Sequence, residues 1–235
     1  MAEALDAGVG IDGVYAEPGA DEALLRRCTE AGLEVVPVAE GALRKVLDLV
    51  SPQAIVAVVR QAPATLAAVL ADSLERRCPV IVLVGLQDPG NAGTLIRVAE
   101  ASGCAGVVLT EGCVDVWNPK VVRASAGSVL RVPVVEGAEV PGLLEAVRSA
   151  GLSTAGTVVA DGLPPESQDL AGAVAVLVGS EAHGLSDYVQ SAIDVRLMIP
   201  MEGEVESLNA AVAGSLVAFE AARQRRVGGG DQAIN

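Results

Sequence analysis

Three stretches of this 235-residue chain place small polar side chains, glycines and one guanidinium directly after apolar runs that read as buried strands. The first is Asp88-Pro-Gly-Asn91-Ala-Gly93-Thr-Leu-Ile-Arg97. Here Asn91 suits a helix N-cap, Gly93 permits close approach of backbone, and Arg97 follows about two turns later. The second is Gly179-Ser180-Glu181-Ala182-His183-Gly184, a carboxylate between two glycines in a tight strand-to-helix turn. The third runs from Ile199-Pro-Met201 through an acidic loop to Ser207-Leu208-Asn209, where a helix begins. Amide, hydroxyl and carboxylate groups at such junctions can hydrogen-bond a ligand, and an arginine can hold phosphate or a developing oxyanion. In an open α/β sheet, ligands bind outside the carboxyl ends of the strands. Taken one at a time, the three read equally well as a capped helix with a solvated arginine, an ordinary turn, and a serine cap.

The elements that must hold these residues alternate with near regularity. Strands are expected at 80–86, 106–109, 132–135, 153–160, 173–179 and 195–199. Helices are expected at 92–102, from Pro119, from Pro141 to Gly151, at 186–191, and from Ser207 nearly to the end. This order predicts an α/β fold with a mostly parallel sheet and helices on both faces. In the last helix Val205, Leu208, Val212, Leu216 and Phe219 recur at spacings of three and four, which predicts one apolar face. Ser207 takes the N-cap position, Arg223, Arg225 and Arg226 lie where the helix dipole favours cations, and Gly228 to Gly230 stop it.

Residues 1–60 read as a smaller α/β unit, with strands at 11–17, 33–38 and 54–59 and helices at 21–31 and 41–50. Met1 to Ala7 reads as the tail of a helix whose preceding strand is missing, as in a truncated chain. Residues 61–79 form a helical connector, 80–226 the larger domain and 227–235 a flexible tail.

Composition narrows the chemistry. With four separate cysteines, no C-x-x-C pair and a single histidine, a metal site is not expected, and the thiols read as reduced and buried. There is no G-x-G-x-x-G and no Walker lysine, which argues against a nucleotide enzyme built on a phosphate loop. Neither a membrane span nor a secretion signal is evident, so a cytoplasmic protein is expected. The net charge of −14 argues against nonspecific nucleic-acid binding, and an aromatic content of 2% against a base-stacking platform. In residues 1–60, acidic residues outnumber basic ones ten to five. One segment runs the other way: Asn118 to Arg131 holds Lys120, Arg123 and Arg131 and no acid, a local phosphate-contacting patch beside Arg97.

In order and spacing, the three stretches resemble the signature motifs of the SpoU branch of the SPOUT superfamily, RNA 2′-O-ribose methyltransferases. The resemblance covers roughly residues 80 to 226. It implies a sheet whose C-terminal part forms a trefoil knot, a homodimer with shared active sites, and S-adenosylmethionine as methyl donor. The donor would lie against Leu109, Thr110 and Gly112, against Gly179, Ser180 and Glu181, and against Ile199, Met201, Ser207 and Leu208. Arg97 would hold the phosphate beside the target ribose and stabilise alkoxide charge rather than act as a base, since guanidinium keeps its proton. Asn91, Ser207 and Asn209 would orient the nucleophile, and Glu181 would fix the loops or, if buried, accept the proton. His183 is not required by the motif and is read as incidental. Trp117 is expected to close the cofactor pocket or to pack in the core. Residues 1–60 resemble, less closely, the ribosomal-protein-like substrate-binding domain that often precedes this domain, which favours ribosomal over transfer RNA. A binding module that has lost catalysis is the remaining alternative.

Overall fold

The computed structural model describes residues 1–47, 53–61 and 63–228. The chain divides into two compact units, residues 1–62 and 63–235.

The first unit runs α1 (Ala2–Asp6), β1 (Ile11–Ala16), α2 (Glu22–Glu30), β2 (Val35–Pro37), α3 (Ala42–Leu47) and β3 (Ile55–Val59). Its strands lie in the order β2-β1-β3, with β2 parallel and β3 antiparallel to the central strand. Val14, Ala16, Cys28 and Ile55 close its core. The expected helix over 41–50 is seen to Leu47, and its remainder lies outside the described residues.

The second unit begins with α4 (Leu66–Arg76) and β4 (Val80–Leu83), then α5 (Pro89–Ser102), β5 (Gly106–Thr110), α6 (Pro119–Ala124) and β6 (Val134–Ala138). It continues through α7 (Val140–Ala150), β7 (Ser153–Val158), β8 (Val174–Val178), α8 (Asp187–Ala192), β9 (Val195–Met198) and α9 (Ala210–Gly228). The six strands are all parallel, in the order β6-β5-β4-β8-β7-β9. Alternate residues of β4 serve the two layers: Ile81 and Leu83 pack with α5, and Val80 and Val82 with α4 and α7. That two-sided burial is why the strands read as continuous apolar runs.

The order places the site. From β4 the chain moves outward to β5 and β6; from β8 it moves the other way, to β9 beyond β7. Strands β4 and β8 are adjacent, so their carboxyl ends flank a topological switch point, the usual ligand crevice of such sheets.

Helix α9 departs from expectation in two respects. It starts at Ala210, with Asn209 as its cap: Asn209 Oδ1 accepts from the backbone N–H of Ala211 (2.9 Å) and Val212 (3.2 Å). Ser207 lies in the irregular loop before it. Its buried face is Ala211, Gly214, Val217, Ala218, Ala221 and Ala222, while Val205, Val212, Leu216 and Phe219 are exposed. Small residues win because the helix lies tightly against α5 and β8. A Cβ on Gly214 would come within 2.7 Å of Leu95 and 2.9 Å of Val178. Its basic residues serve particular partners: Arg223 pairs with Glu220 at 2.7 Å, and Arg225 donates to the Ser102 carbonyl at the end of α5. The glycines expected to stop it, beyond Gly228, lie outside the described residues, as does most of the expected tail.

Candidate active site

Two adjoining cavities open at the carboxyl ends of the central strands, and the turn Ser180-Glu181-Ala182-His183 lines both. That turn is made by local geometry. Gly184 takes a left-handed conformation (φ +62°) and its N–H donates to the Ser180 carbonyl (2.9 Å), which folds the chain back beside Gly179. A Cβ on Gly179 would lie 2.2 Å from the Gly184 carbonyl carbon and 2.4 Å from the Leu185 nitrogen, so no other residue fits there without opening the turn.

The first cavity, of about 380 Å³, is within the ~300–1,000 Å³ of small-molecule sites. Three strand ends build it. Thr157, Val158 and Val159 come from β7, Gly179 to Leu185 follow β8, and Ile199 and Met201 follow β9. Glu206, Ser207, Leu208, Ala210 and Ala213 close it from the α9 side. The lining is mostly apolar side chains and exposed backbone, and its charged members are Glu181 and Glu206, with His183 beside them and no lysine or arginine. A ligand with flat apolar and cationic parts suits that lining better than a phosphate does.

The second cavity sits over the switch point. Gly85, Gln87, Asp88 and Asn91 come from the β4–α5 junction, the shared turn from β8, and Asn209 from the start of α9. A hydrogen-bond relay spans it. Asn209 Nδ2 donates to Asn91 Oδ1 (3.0 Å), and Asn91 Nδ2 donates to Glu181 Oε1 (2.8 Å), which also accepts from the backbone N–H of Asp88 (3.3 Å). Asn91 is free to do this because it does not cap α5. Asp88 does, accepting from the Asn91 backbone N–H at 2.8 Å. Each end of Asn209 is committed as well, one to the α9 cap and one to Asn91. Three polar side chains far apart in sequence thus fix one another without a charge partner.

The sequence-predicted residues separate clearly. Gly179, Ser180, Glu181, Ile199, Met201, Ser207 and Leu208 line the first cavity, and Asn91, Glu181 and Asn209 meet at the second. Leu109, Thr110 and Gly112 line neither. Leu109 and Thr110 end β5 and Gly112 follows it, and β5 is separated from β8 by β4, so the strand end that joins β8 and β9 in lining the first cavity is that of β7, at Thr157–Val159. Thr110 has a supporting part instead, its Oγ1 accepting from the Gly85 N–H (3.1 Å) at the edge of the second cavity. Glu181 is exposed rather than buried, which removes the burial invoked for a proton-accepting role.

Arg97 is exposed on α5, lines neither cavity, and makes no hydrogen bond or ion pair among the described residues. Gly93 serves a close approach, but to α6: a Cβ there would come within 2.5 Å of Ala124 Cβ and 2.6 Å of the Val121 carbonyl. That packing sets Lys120 and Arg123, both exposed, on the helix next to Arg97. Arg131 is drawn out of the patch by Glu100, to which it donates at 2.5 and 3.1 Å. The same hydrogen bonds hold the Glu100 carboxyl below its usual range. Trp117 takes the second of its expected places, half-buried against the core around α5 and β5.

Residues 79–219 match the model of the SpoU rRNA methylase family. The 23S rRNA (guanosine(2553)-2′-O)-methyltransferase RlmP of Bacillus subtilis is 31% identical over 199 residues, 85% of this chain and 77% of the relative. An uncharacterized tRNA/rRNA methyltransferase of Synechocystis is 41% identical over 150 residues, 62% of this chain and 53% of that protein. Among solved structures, the SpoU methyltransferase AviRb from Streptomyces viridochromogenes in complex with AdoMet superposes with a TM-score of 0.82. It is 28% identical, over 96% of this chain and 87% of that one. The chain belongs to the SpoU rRNA methylase family.

Proposed function

We propose that this protein transfers a methyl group from S-adenosylmethionine to a ribose 2′-hydroxyl of RNA, with ribosomal RNA as the substrate. The observation that carries the reading is the pair of cavities sharing one turn. One is shaped for a small ligand with cationic parts, and the other is ringed by hydrogen-bonding groups at the switch point. The first would hold S-adenosylmethionine. Its apolar walls Val158, Leu197, Ile199 and Leu208 suit the adenine, and the carboxylates of Glu181 and Glu206 suit a ligand bearing sulfonium and ammonium charge. When bound, the donor supplies an electrophilic methyl group.

The chain's own groups do the rest. The Asn209–Asn91–Glu181 relay holds the shared turn and presents polar edges to a ribose. Ser207 adds a hydroxyl from the other side. Arg97, Lys120 and Arg123 meet the backbone phosphates, and in the homodimer Arg97, which lies outside both cavities of its own chain, completes the partner subunit's site and stabilises charge on the attacking oxygen there. Ribosomal RNA is favoured because the match to the 23S rRNA enzyme is longer than the whole second unit and so reaches into the first. Residues 1–60, within the first unit, are then the substrate-binding domain, 61–79 the connector and 80–226 the methyltransferase.

Two further features belong to the same reading. The chain leaves β9 at the sheet edge, and α9 returns to pack on α5 and β8, a crossing that agrees with a trefoil knot. The exposed stripe Val205, Val212, Leu216 and Phe219 is the surface of a homodimer, because three large apolar groups on α9 and Val205 on the loop before it would otherwise face water.

The test is the acceptor atom. An RNA substrate carrying 2′-deoxy at the target nucleotide alone should still bind, since most contacts are to phosphate and shape. It should accept no labelled methyl group. Transfer to it at a rate near normal would show a base atom to be the acceptor and overturn the reading.

A further inference from the structure

Methyl transfer to a hydroxyl releases a proton, and neither cavity offers an obvious acceptor among the residues singled out above. Arg97 lines neither cavity, and a guanidinium does not give up its proton. Glu181 Oε1 is taken by two donors, Asn91 Nδ2 and the Asp88 N–H, which hold the shared turn in place. Glu206 lines the first cavity alone, Asp88 lines the second alone with its Oδ1 capping α5, and the hydroxyl of Ser207 and the amides of Asn91 and Asn209 are not bases. One side chain remains on the turn. His183 lines both cavities and is the only histidine of the chain. Its backbone is fixed, the N–H donating to Ser180 Oγ (3.4 Å) and the next residue closing the turn. Its imidazole is exposed and makes no hydrogen bond or ion pair among the described residues.

We propose that His183 is the general base of the reaction, a role that rests on the reading of the two cavities as donor site and ribose site. A methyl group held in one and a hydroxyl held in the other can meet only along their common wall, and that wall is Ser180 to His183. In the step, the ribose oxygen forms its bond to the methyl carbon as the sulfonium–carbon bond breaks, leaving a neutral thioether. The hydroxyl proton passes to the free imidazole nitrogen, and the imidazolium later loses it to water. An imidazole titrates ordinarily at about 6.5, closer to working pH than a carboxylate at about 4.3, which is what an efficient base requires. The charged groups that face it are Glu181 on its own turn, Asp88 at the start of α5 and Glu206 on the loop before α9. All three are acidic, so an imidazolium formed there meets compensating charge.

A single histidine makes the test direct, because the imidazole nuclear-resonance signals belong to one residue. The full-length protein is titrated with pH, alone and with S-adenosyl-L-homocysteine. Single-turnover methyl transfer to ribosomal RNA from cells lacking the protein is measured over the same range. The expected results are that the homocysteine analogue shifts the imidazole signals, and that the transfer rate rises with pH along the midpoint of that imidazole titration. His183→Asn and His183→Gln should each lose that limb of the profile and about a hundredfold or more in rate, the usual scale for a general base. Both should bind the analogue within twofold of wild type by calorimetry. Added imidazole should restore part of the rate to His183→Ala. Three results would overturn the proposal while leaving the wider reading intact: variants with wild-type rate and pH profile, variants that fail only by losing the analogue, or a limb that departs from the imidazole midpoint. A wild-type protein that neither binds the analogue nor methylates the RNA would overturn both.

Discussion

Asn91→Asp replaces the central amide of the relay with an isosteric carboxylate, and its effect can be worked from the geometry. The Asn91 Nδ2 donor to Glu181 lies at 2.8 Å, and losing a hydrogen bond to a charged group costs about 1.5–3 kcal/mol. The introduced carboxylate then faces that of Glu181 at about 3 Å, where like charges repel by about 1.4 kcal/mol in water and several-fold more in a protein-like medium. Glu181 is exposed, so the lower figure applies and the total falls near 3 kcal/mol. Asn91→Ala loses the hydrogen bonds without the repulsion and should cost about 1–2 kcal/mol, because water reaches both abandoned partners. Trp117 is the only tryptophan and packs against the core of the second unit, so its fluorescence in urea follows that unit alone. The two variants should differ by at least 1 kcal/mol at pH 7 in low salt, a gap that high salt narrows. Equal stability of the two variants at every pH and salt concentration would refute the argument, since Glu181 would then not be the partner of Asn91.

Three other outcomes are expected. Arg97→Ala should lower methyl transfer about a hundredfold while leaving S-adenosyl-L-homocysteine affinity unchanged, because Arg97 touches neither cavity; loss of that affinity would contradict its placement. Leu216→Glu with Phe219→Glu puts charge on the exposed stripe of α9, and sedimentation should show wild-type dimers and variant monomers; a wild-type monomer that is fully active would remove the shared interface. Burial pushes the Cys104 thiol up to about 11, so at pH 8 it is thiolate only about one part in a thousand and should resist iodoacetamide. Cys113, only half-buried, should label first, and labelling of Cys104 at pH 8 as fast as a free thiol would show the core to be open.

The parts of this fold that were legible in the sequence are those set by local chemistry. Short apolar runs marked β4, β5 and β8, and Asn118-Pro119 marked the start of α6. Capping was less secure, because two good caps often lie within a few residues of each other. Asp88 and Asn91 compete at α5, as Ser207 and Asn209 do at α9, and in both places tertiary demand decided which one caps. The amide of Asn91 bonds Glu181, so the carboxylate upstream takes the helix end. The inward face of α9 was misread for a different reason. Periodicity weights large apolar residues, whereas a helix pressed against α5 can bury only glycine, alanine and one valine at the contact.

The loop that sequence reasoning missed shows where local chemistry stops. Thr157-Val158-Val159 holds no glycine or charged residue, and its one hydroxyl donates to the Leu177 carbonyl (3.4 Å), so it meets the cavity as the plain end of a strand. Its part follows only from strand order, with β8 inserted between β4 and β7 and β9 placed beyond β7. In that order the carboxyl ends of β8, β7 and β9 adjoin, and the end of β5 lies two places away from the nearest of them. Leu109 to Gly112 has the glycine and the polar residue that a ligand loop is expected to have, yet it lines neither cavity, and its Thr110 Oγ1 accepts from the Gly85 N–H. Crossover connections are long-range events whose outcome no window of residues contains. A reading that ranks loops by their own composition will therefore find the relay residues, which are polar because they must bond one another. It will pass over the backbone walls, which any strand end can supply.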